Sequence, residues 1–251
     1  MKITSILLFA LATVLCSCSS TRSKSHLSTS LKANAAPLSD FIEHKDEMKP
    51  QRERAPFALV WVNPSLPAKR PKYDSIHIAP VDTSHLRKAR TNISNVTGIE
   101  KKDRPVAQMA GKLRQAFIDA FKNSPSPKLK VSQTVAPRGV TLHLALVELN
   151  ATDTAGNAIK SAIPYGSVLS PLMNGNIAIE GKVRDNATGE LLFEFADNER
   201  DQMTVVSLRD FTPYRHAEAA IKDWAKQFEE LSRTPPGHKV KDSLFFTLNL
   251  L

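Results

Sequence analysis

The chain has 251 residues, of which 41% are hydrophobic, and a formal net charge of +9. A domain of about 190 residues buries roughly 70% of its unfolded surface, so this length and composition predict a globular body that folds without disulfides. Both cysteines, Cys16 and Cys18, lie near the start, which excludes a disulfide framework in the body. The positive charge favours anionic surroundings, but it is spread over several segments, and we expect no nucleic-acid partner.

The first residues have the pattern of an export signal. The run at 3–15 is uncharged and mostly apolar, too short to span a bilayer and typical of a signal peptide. Leu15, Ser17 and Cys18 then resemble the bacterial lipoprotein box, whose cysteine is lipidated and becomes the first residue. We therefore predict cleavage between Ser17 and Cys18, although Cys16 departs from the small residue usual at its position. The alternative is an ordinary secretory signal.

Lipidation of Cys18 would hold the protein at a membrane. Each buried CH₂ group contributes about 0.8 kcal/mol, and a cysteine that resembles the bacterial type carries three acyl chains. Ser19 stands where an Asp would direct retention in the inner membrane, so we expect the outer membrane, with the domain facing the periplasm. The predicted organisation is a signal peptide at 1–17, a lipidated cysteine and disordered linker at 18–37, an α/β domain at 38–232 and a tail at 233–251.

The body begins with short elements. The apolar run at 57–62 predicts a short extended segment, and the alternation at 75–81 predicts the first strand. Between them lies a basic linker that contains Lys69, Arg70 and Lys72. These charges either contact an anionic partner or form a solvated loop.

Two amphipathic helices and a central strand follow. Apolar residues recur at intervals of three and four over 104–123, and again after Thr212, as in helices with one buried face. The segment 140–149 is apolar on both faces, which predicts a central strand covered on both sides. We expect Trp224 to anchor the second helix on the sheet. The apolar stripe of that helix is Ala217, Ala220, Ile221, Trp224, Phe228 and Leu231.

The clearest element is a hairpin at 174–197. Apolar residues alternate with polar ones on both sides of a turn that contains glycine, and this period of two predicts two paired strands. Asp185 is expected to bond the backbone of the turn, and Gly189 to adopt a positive φ. Glu180 and Glu194 are expected to face each other as surface carboxylates.

Together these elements predict an α/β (α+β) fold. A mixed sheet of about four to five strands, with the hairpin at its centre, is covered by the two amphipathic helices. The tail includes an apolar, strand-like stretch at 244–251. This stretch either adds to an edge of the sheet or docks elsewhere, on the chain or on a partner.

An apolar loop is predicted at 159–173, where two prolines exclude a membrane helix. The loop either folds over the sheet or presents an apolar patch to a partner. The candidate partner surface consists of Ile163, Tyr165, Val168, Leu169, Leu172 and Met173.

Several short motifs, in their order and spacing, give the chain a family resemblance. They are Leu-Ser-Asp-Phe at 38–41, Trp-Val-Asn-Pro at 61–64, Tyr73-Asp74 before the strand, Asp185 with Thr-Gly-Glu-Leu at 188–191, and the segment 217–225. Over 38–232 the chain resembles the uncharacterised bacterial lipoprotein family called domain of unknown function 3313. The resemblance implies an exported, lipid-anchored α/β module without an established activity.

No catalytic, cofactor or metal site is predicted. His77, Asp82 and His85 are near one another along the chain, but two of them lie in a flexible-looking stretch that does not suit a rigid metal cage. His143 lies in an apolar strand and is expected to be a hydrogen-bonded core residue. The chain contains neither a Gly-x-Ser-x-Gly elbow nor a phosphate-binding loop.

Three functions are therefore considered. The first is a non-enzymatic interaction or assembly module, anchored through Cys18, with an envelope protein or a cell-wall component as its partner. The alternative is a lipoprotein that binds a lipid or a small ligand, with the loop at 159–173 lining the pocket. The third, an envelope hydrolase, requires a pKa-shifted group in a cleft, for which His77 and His143 are the candidates.

Overall fold

The computed structural model describes residues 36–50, 55–87, 103–150, 176–200, 214–235 and 238–240. All of them belong to one compact unit of the chain, Ala33–Leu251. No helix among these residues is long and apolar enough to cross a membrane. The strands are β1 (Leu59–Val62), β2 (Ser75–Ile78), β3 (Lys130–Ser132), β4 (Gly139–Asn150), β5 (Asn176–Asp185) and β6 (Leu191–Arg200); the helices are α1 (Leu66–Lys69), α2 (Asp103–Lys122) and α3 (Arg215–Arg233), with 3₁₀ turns at Lys45–Glu47 and Arg70–Lys72.

The described strands form one mixed sheet in the order β1–β6–β5–β4–β2–β3. β4, β5, β6 and β1 pair antiparallel in succession, whereas β2 pairs parallel with both β3 and β4. The mixed α/β class is confirmed, but the described residues form six strands, more than the expected four to five. β1 and β3 contain only four and three residues, and alternation is a signal of longer runs.

The predicted hairpin is confirmed as β5, β6 and the turn that joins them. In the turn, Asp185 Oδ1 accepts hydrogen bonds from the backbone N–H of Ala187 at 2.7 Å and of Thr188 at 3.1 Å. Gly189 has a φ of 72°, in the left-handed region that glycine adopts without steric cost. Both features expected of this turn are therefore present.

α2 and α3 pack against each other and cover one face of the sheet. Trp224 is fully buried, and its Nε1 donates a hydrogen bond to Asp197 Oδ2 at 2.9 Å. The expected anchor of α3 on the sheet is thus confirmed, with its polar atom satisfied by β6. The largest side chains of this core include Trp224, Phe57, Phe117, Phe121, Phe195, Leu142, Leu144 and Leu146.

The segment 36–50 covers the opposite face of the sheet. Ser39 donates its backbone N–H and its hydroxyl to the carboxylate of Glu180, at 2.7 and 2.5 Å. His44 donates its backbone N–H to Glu194 at 3.0 Å, and its Nδ1 lies 2.9 Å from the same carboxylate. Two carboxylates from the hairpin therefore fasten this segment to the sheet.

The expectation that Glu180 and Glu194 are surface carboxylates facing each other is wrong. Their side chains are buried, with residue exposures of 1% and 0%. In the hairpin register Glu180 lies opposite Ala196, and Glu194 lies opposite Lys182. Alternation correctly placed both residues on the face of the sheet opposite the helices. It could not show that this face is covered by the segment 36–50, which is far away in sequence.

Candidate ligand pocket

A cavity of about 290 Å³ lies at the end of the sheet nearest the hairpin turn. Residues from that end of β4, β5 and β6 line it, together with α1, the turn at Arg70–Lys72 and the last turn of α3. The lining is mostly apolar, and the volume of the cavity is at the lower end of the range for small-molecule pockets. Apolar lining residues include Val62, Leu66, Val140, Leu192, Phe193 and Phe228.

The local sequence explains how α1 comes to form one side of this cavity. Pro67 lies in the first turn of α1, where its missing N–H leaves no hydrogen bond unmade. A second proline, Pro71, lies in the 3₁₀ turn that follows directly. These two short helical pieces bring Leu66 and Pro67 to the cavity, where the sequence had predicted only a basic linker.

Two cationic side chains, Arg70 and Lys128, accompany the apolar lining. Arg70 is partly buried, and its Nη2 donates to the carbonyl oxygens of Leu231 at 3.1 Å and Ser232 at 2.5 Å, at the end of α3. Burial lowers the pKa of Arg70, but arginine remains charged in proteins. Lys128 is an exposed residue at the rim, and partial burial together with the Arg70 charge lowers the pKa of its ammonium group. The two positive charges thus lie close enough to repel each other.

Another member of the basic linker, Lys69, is bound elsewhere. Lys69 forms an ion pair with Glu190, which also accepts a hydrogen bond from the Ser65 hydroxyl at 3.0 Å. This pair stabilises the approach of α1 to the hairpin. Of the two alternatives for this cluster, contact with an anion therefore concerns Arg70 more than Lys69.

Tyr73 supplies a neutral polar wall. Its hydroxyl donates to Asp185 Oδ2 at 2.7 Å. Burial, followed by the interactions with Asp185 and Glu190, raises the pKa of Tyr73. Burial also raises the pKa of Asp185, but the hydrogen bonds from Tyr73 and from the turn backbone lower it on balance. The tyrosine thus remains protonated and ties the pocket to the hairpin turn.

The residues considered for metal binding do not converge. His77 Nδ1 lies 3.1 Å from the carbonyl oxygen of Ser132, and His85 Nε2 lies 3.7 Å from Asp82 Oδ2. Within the part of the chain that the structure describes, no three His, Cys, Asp or Glu side chains are grouped as metal ligands would be.

His143, the remaining histidine candidate, is half-buried on the second face of the sheet. Burial first, and then the charges of Lys182 and Arg184, lowers the pKa of His143. Glu180 and Glu194 do not line the pocket either. The pKa-shifted histidine therefore lies apart from the cavity, whereas a hydrolytic site would need it in the cleft.

The other predicted sites lie outside the described residues. These are the cleavage and lipidation positions Ser17 and Cys18, and the candidate partner surface Ile163, Tyr165, Val168, Leu169, Leu172 and Met173. They remain predictions from sequence. The pocket was missed because its lining comes from segments far apart in the chain, each of which contributes only a few residues.

Comparison with known proteins identifies a family. A family model described as "Protein of unknown function (DUF3313)" matches residues 37–228. No curated protein matches the chain in sequence.

Solved structures that resemble the fold include three bacterial proteins. The PelC dodecamer from Paraburkholderia phytofirmans is 8% identical, with a TM-score of 0.38 over 68% of this chain and 94% of that one. The hypothetical protein CT253 from Chlamydia trachomatis is 10% identical, with a TM-score of 0.36 over 64% and 98%. Protein XCC0632 from Xanthomonas campestris is 14% identical, with a TM-score of 0.38 over 73% and 92%.

Proposed function

Because the chain belongs to the DUF3313 family, whose function is unknown, we propose its role from the pocket: it binds an amphiphilic ligand with an apolar chain and an anionic head. We further propose that it does so without catalysing a reaction, as a lipoprotein anchored through Cys18 in the outer membrane and facing the periplasm. The apolar cavity beside Arg70 and Lys128 is the observation that carries this proposal.

The apolar lining is the evidence that the ligand contains an apolar chain. Each CH₂ group transferred from water into such a lining contributes about 0.8 kcal/mol. A cavity of about 290 Å³ suits one short alkyl chain better than a lipid with several long ones. Val62, Leu192 and Phe228 surround this volume with side chains that offer no hydrogen-bonding groups.

The cationic side chains of Arg70 and Lys128 are the evidence that the ligand has an anionic head group. Both hydrogen bonds of Arg70 come from Nη2; among the described residues, Nε and Nη1 make none, so they retain N–H donors for a carboxylate, sulfonate or phosphate. Lys128 adds a second charge nearby, and its interaction with Arg70 is repulsive. A bound anion would relieve this repulsion.

The predicted anchor supports access to such ligands. A flexible linker over the 18 residues at 19–36 would span about 20–25 Å, so a domain tethered through Cys18 would remain close to the membrane surface. There it would meet acyl-chain compounds continually. The interaction role expected for the surface at 163–173 rests on sequence alone.

A photo-crosslinking experiment on the intact protein tests the proposal. Washed membranes that contain the full chain are exposed to dodecanoate carrying a diazirine group, irradiated, and the adducts are mapped by peptide mass spectrometry. Mapping separates pocket adducts from the lipid on Cys18. We expect adducts on peptides that contain Leu66, Leu192 or Phe228.

Two substitutions provide a matched pair for this experiment. Val62→Trp adds bulk at a lining residue that is 36% exposed, whereas Val135→Trp adds the same bulk at a residue that is 59% exposed and outside the pocket. Pocket labelling should fall at least about fivefold in the first variant and remain unchanged in the second. Equal labelling of both variants, or adducts scattered over the surface, would contradict the proposed function.

A further inference from the structure

Described residues that follow α3 lie in the wall of the pocket. Pro235 and His238 both line the cavity, and the N–H of His238 donates to the carbonyl oxygen of Pro235 at 3.2 Å. Two residues later, Val240 is fully buried. The described residues that follow α3 therefore lie beside the cavity as far as His238, and Val240 is removed from solvent.

The residues that follow are unusually apolar. After the polar spacer 241–243, most of the residues at 244–251 have large apolar side chains, with two adjacent aromatic rings among them. Exposure of so much apolar surface to water is unfavourable. The six apolar residues are Leu244, Phe245, Phe246, Leu248, Leu250 and Leu251.

From these observations we infer that the segment 241–251 is itself an occupant of the pocket and competes there with the amphiphilic ligand. This inference rests on the proposed function. The four residues from Val240 to Leu244 span at most about 13–14 Å when extended. His238 already lines the cavity, so the spacer is long enough for the chain to turn back and place Phe245 or Phe246 inside.

Charge distinguishes the two occupants. The segment contains one basic and one acidic side chain, Lys241 and Asp242, which balance each other, and both precede the apolar residues. Its apolar side chains match the lining, but its side chains carry no net charge, so it interacts with Arg70 and Lys128 less favourably than an anionic head does. An anionic amphiphile contacts both the lining and the cations, so it displaces the segment once it is abundant.

Labelling with the diazirine dodecanoate in membranes tests the competition. In a full chain that carries Phe245→Ser with Phe246→Ser, the probe concentration for half-maximal pocket labelling should fall about tenfold. Lys241→Ala with Asp242→Ala changes the polar spacer in the same segment and should leave that concentration unchanged. The same concentration in the serine variant and the parent would overturn the inference, while the proposed function would stand.

A second measurement detects the segment directly. The photoreactive residue p-benzoylphenylalanine at Phe246 should form adducts within the same chain on peptides that contain Leu66 or Phe228. Unmodified dodecanoate should suppress these adducts. Adducts on a second copy of the chain, or on surfaces away from the pocket, would overturn the inference. If the dodecanoate probe labels neither the parent nor the serine variant, the proposed function fails. The adducts formed by p-benzoylphenylalanine then decide by themselves whether the segment occupies the pocket.

Discussion

At the scale of single residues, Glu194 shows how the two faces of the sheet are used. It has no exposed surface, and its carboxylate accepts hydrogen bonds from the backbone N–H of Glu43 at 2.8 Å and of His44 at 3.0 Å. A buried carboxylate is costly unless such donors satisfy it. The His44 ring also stacks on Trp61, with centroids 3.7 Å apart. Glu194 therefore fixes the chain segment that enters the domain.

The substitution Glu194→Gln should destabilise the fold. The amide retains one acceptor oxygen but places an NH₂ group against N–H donors, so the free energy of unfolding should fall by about 1–3 kcal/mol. Asp46→Asn, at an exposed residue of the same segment, should change it by less than about 0.5 kcal/mol. Urea denaturation measures both. Equal stability of the two variants would show that the buried carboxylate does not fasten the segment.

His143 should make stability depend on pH. Burial, together with the charges of Lys182 and Arg184, lowers its pKa below the ordinary value of 6.5. The unfolded chain therefore binds a proton at a higher pH than the folded chain, and this residue's contribution to stability is lost as the pH falls through 6.5.

The variant His143→Gln removes this titration. From about pH 7.5 to 5.5 the parent should lose more free energy of unfolding than the variant does, as measured by urea denaturation across that range. Parallel pH profiles for the two proteins would show that His143 titrates equally in the folded and unfolded states.

At the scale of elements, the hairpin depends on a glycine inside a strand. A Cβ atom at Gly181 would lie 2.1 Å from Cε1 of Phe195, whose ring is fully buried and packed against Phe57 with centroids 4.4 Å apart. The absence of a side chain thus lets the β6 ring lie over the β5 backbone. Alternation indicates which face of the sheet residue 181 belongs to, but not that the Phe195 ring fills the space that a side chain there would need.

Two glycine-to-alanine substitutions should have opposite effects. Gly181→Ala forces the Phe195 ring to move and should reduce the free energy of unfolding by about 1–3 kcal/mol. A Cβ at Gly111, in α2, would meet nothing within 4 Å, so Gly111→Ala should increase stability by about 0.5–1 kcal/mol. Thermal and urea denaturation compare the two. A loss of stability in both variants would contradict this account of the packing.

The elements with long periodic patterns were predictable from sequence. The stripe through Trp224 and Phe228 gave α3, and the alternation of β5 and β6 gave the hairpin. A local pattern alone does not establish the short edge strand β3, because its three residues depend on pairing with β2. The same limit applies to the pocket, since Arg70 and Phe228 meet only after folding.

At the scale of the molecule, the two faces of the sheet have different coverings. The helices α2 and α3 cover the face with the larger core, and the pocket lies on that side at the end of the sheet nearest the hairpin turn. The segment 36–50, which follows the predicted linker, covers the other face. In the proposed arrangement, attachment to the membrane and ligand binding therefore involve different faces of one sheet.

Replacement of the predicted acceptor cysteine tests the attachment. Cys18→Ser should abolish incorporation of labelled palmitate and release the protein from the membrane fraction, because no acyl chains would remain. Cys16→Ser alters the other cysteine and should retain both the label and the membrane association. Fractionation of cells grown with labelled palmitate measures this. Palmitate retained on the Cys18→Ser protein would contradict the predicted anchor.

The pairing of an apolar pocket with two cations is tested most directly by two probes that differ only in the head group. Diazirine probes with the same dodecyl chain, one ending in a carboxylate and the other in a trimethylammonium group, are compared on membranes that contain the intact protein. We predict that the carboxylate probe labels the pocket about tenfold more strongly. Lys128→Glu should reduce this preference, whereas Lys222→Glu, at an exposed position on α3 outside the pocket, should not. Equal labelling by both probes, or stronger labelling by the cationic one, would contradict the account.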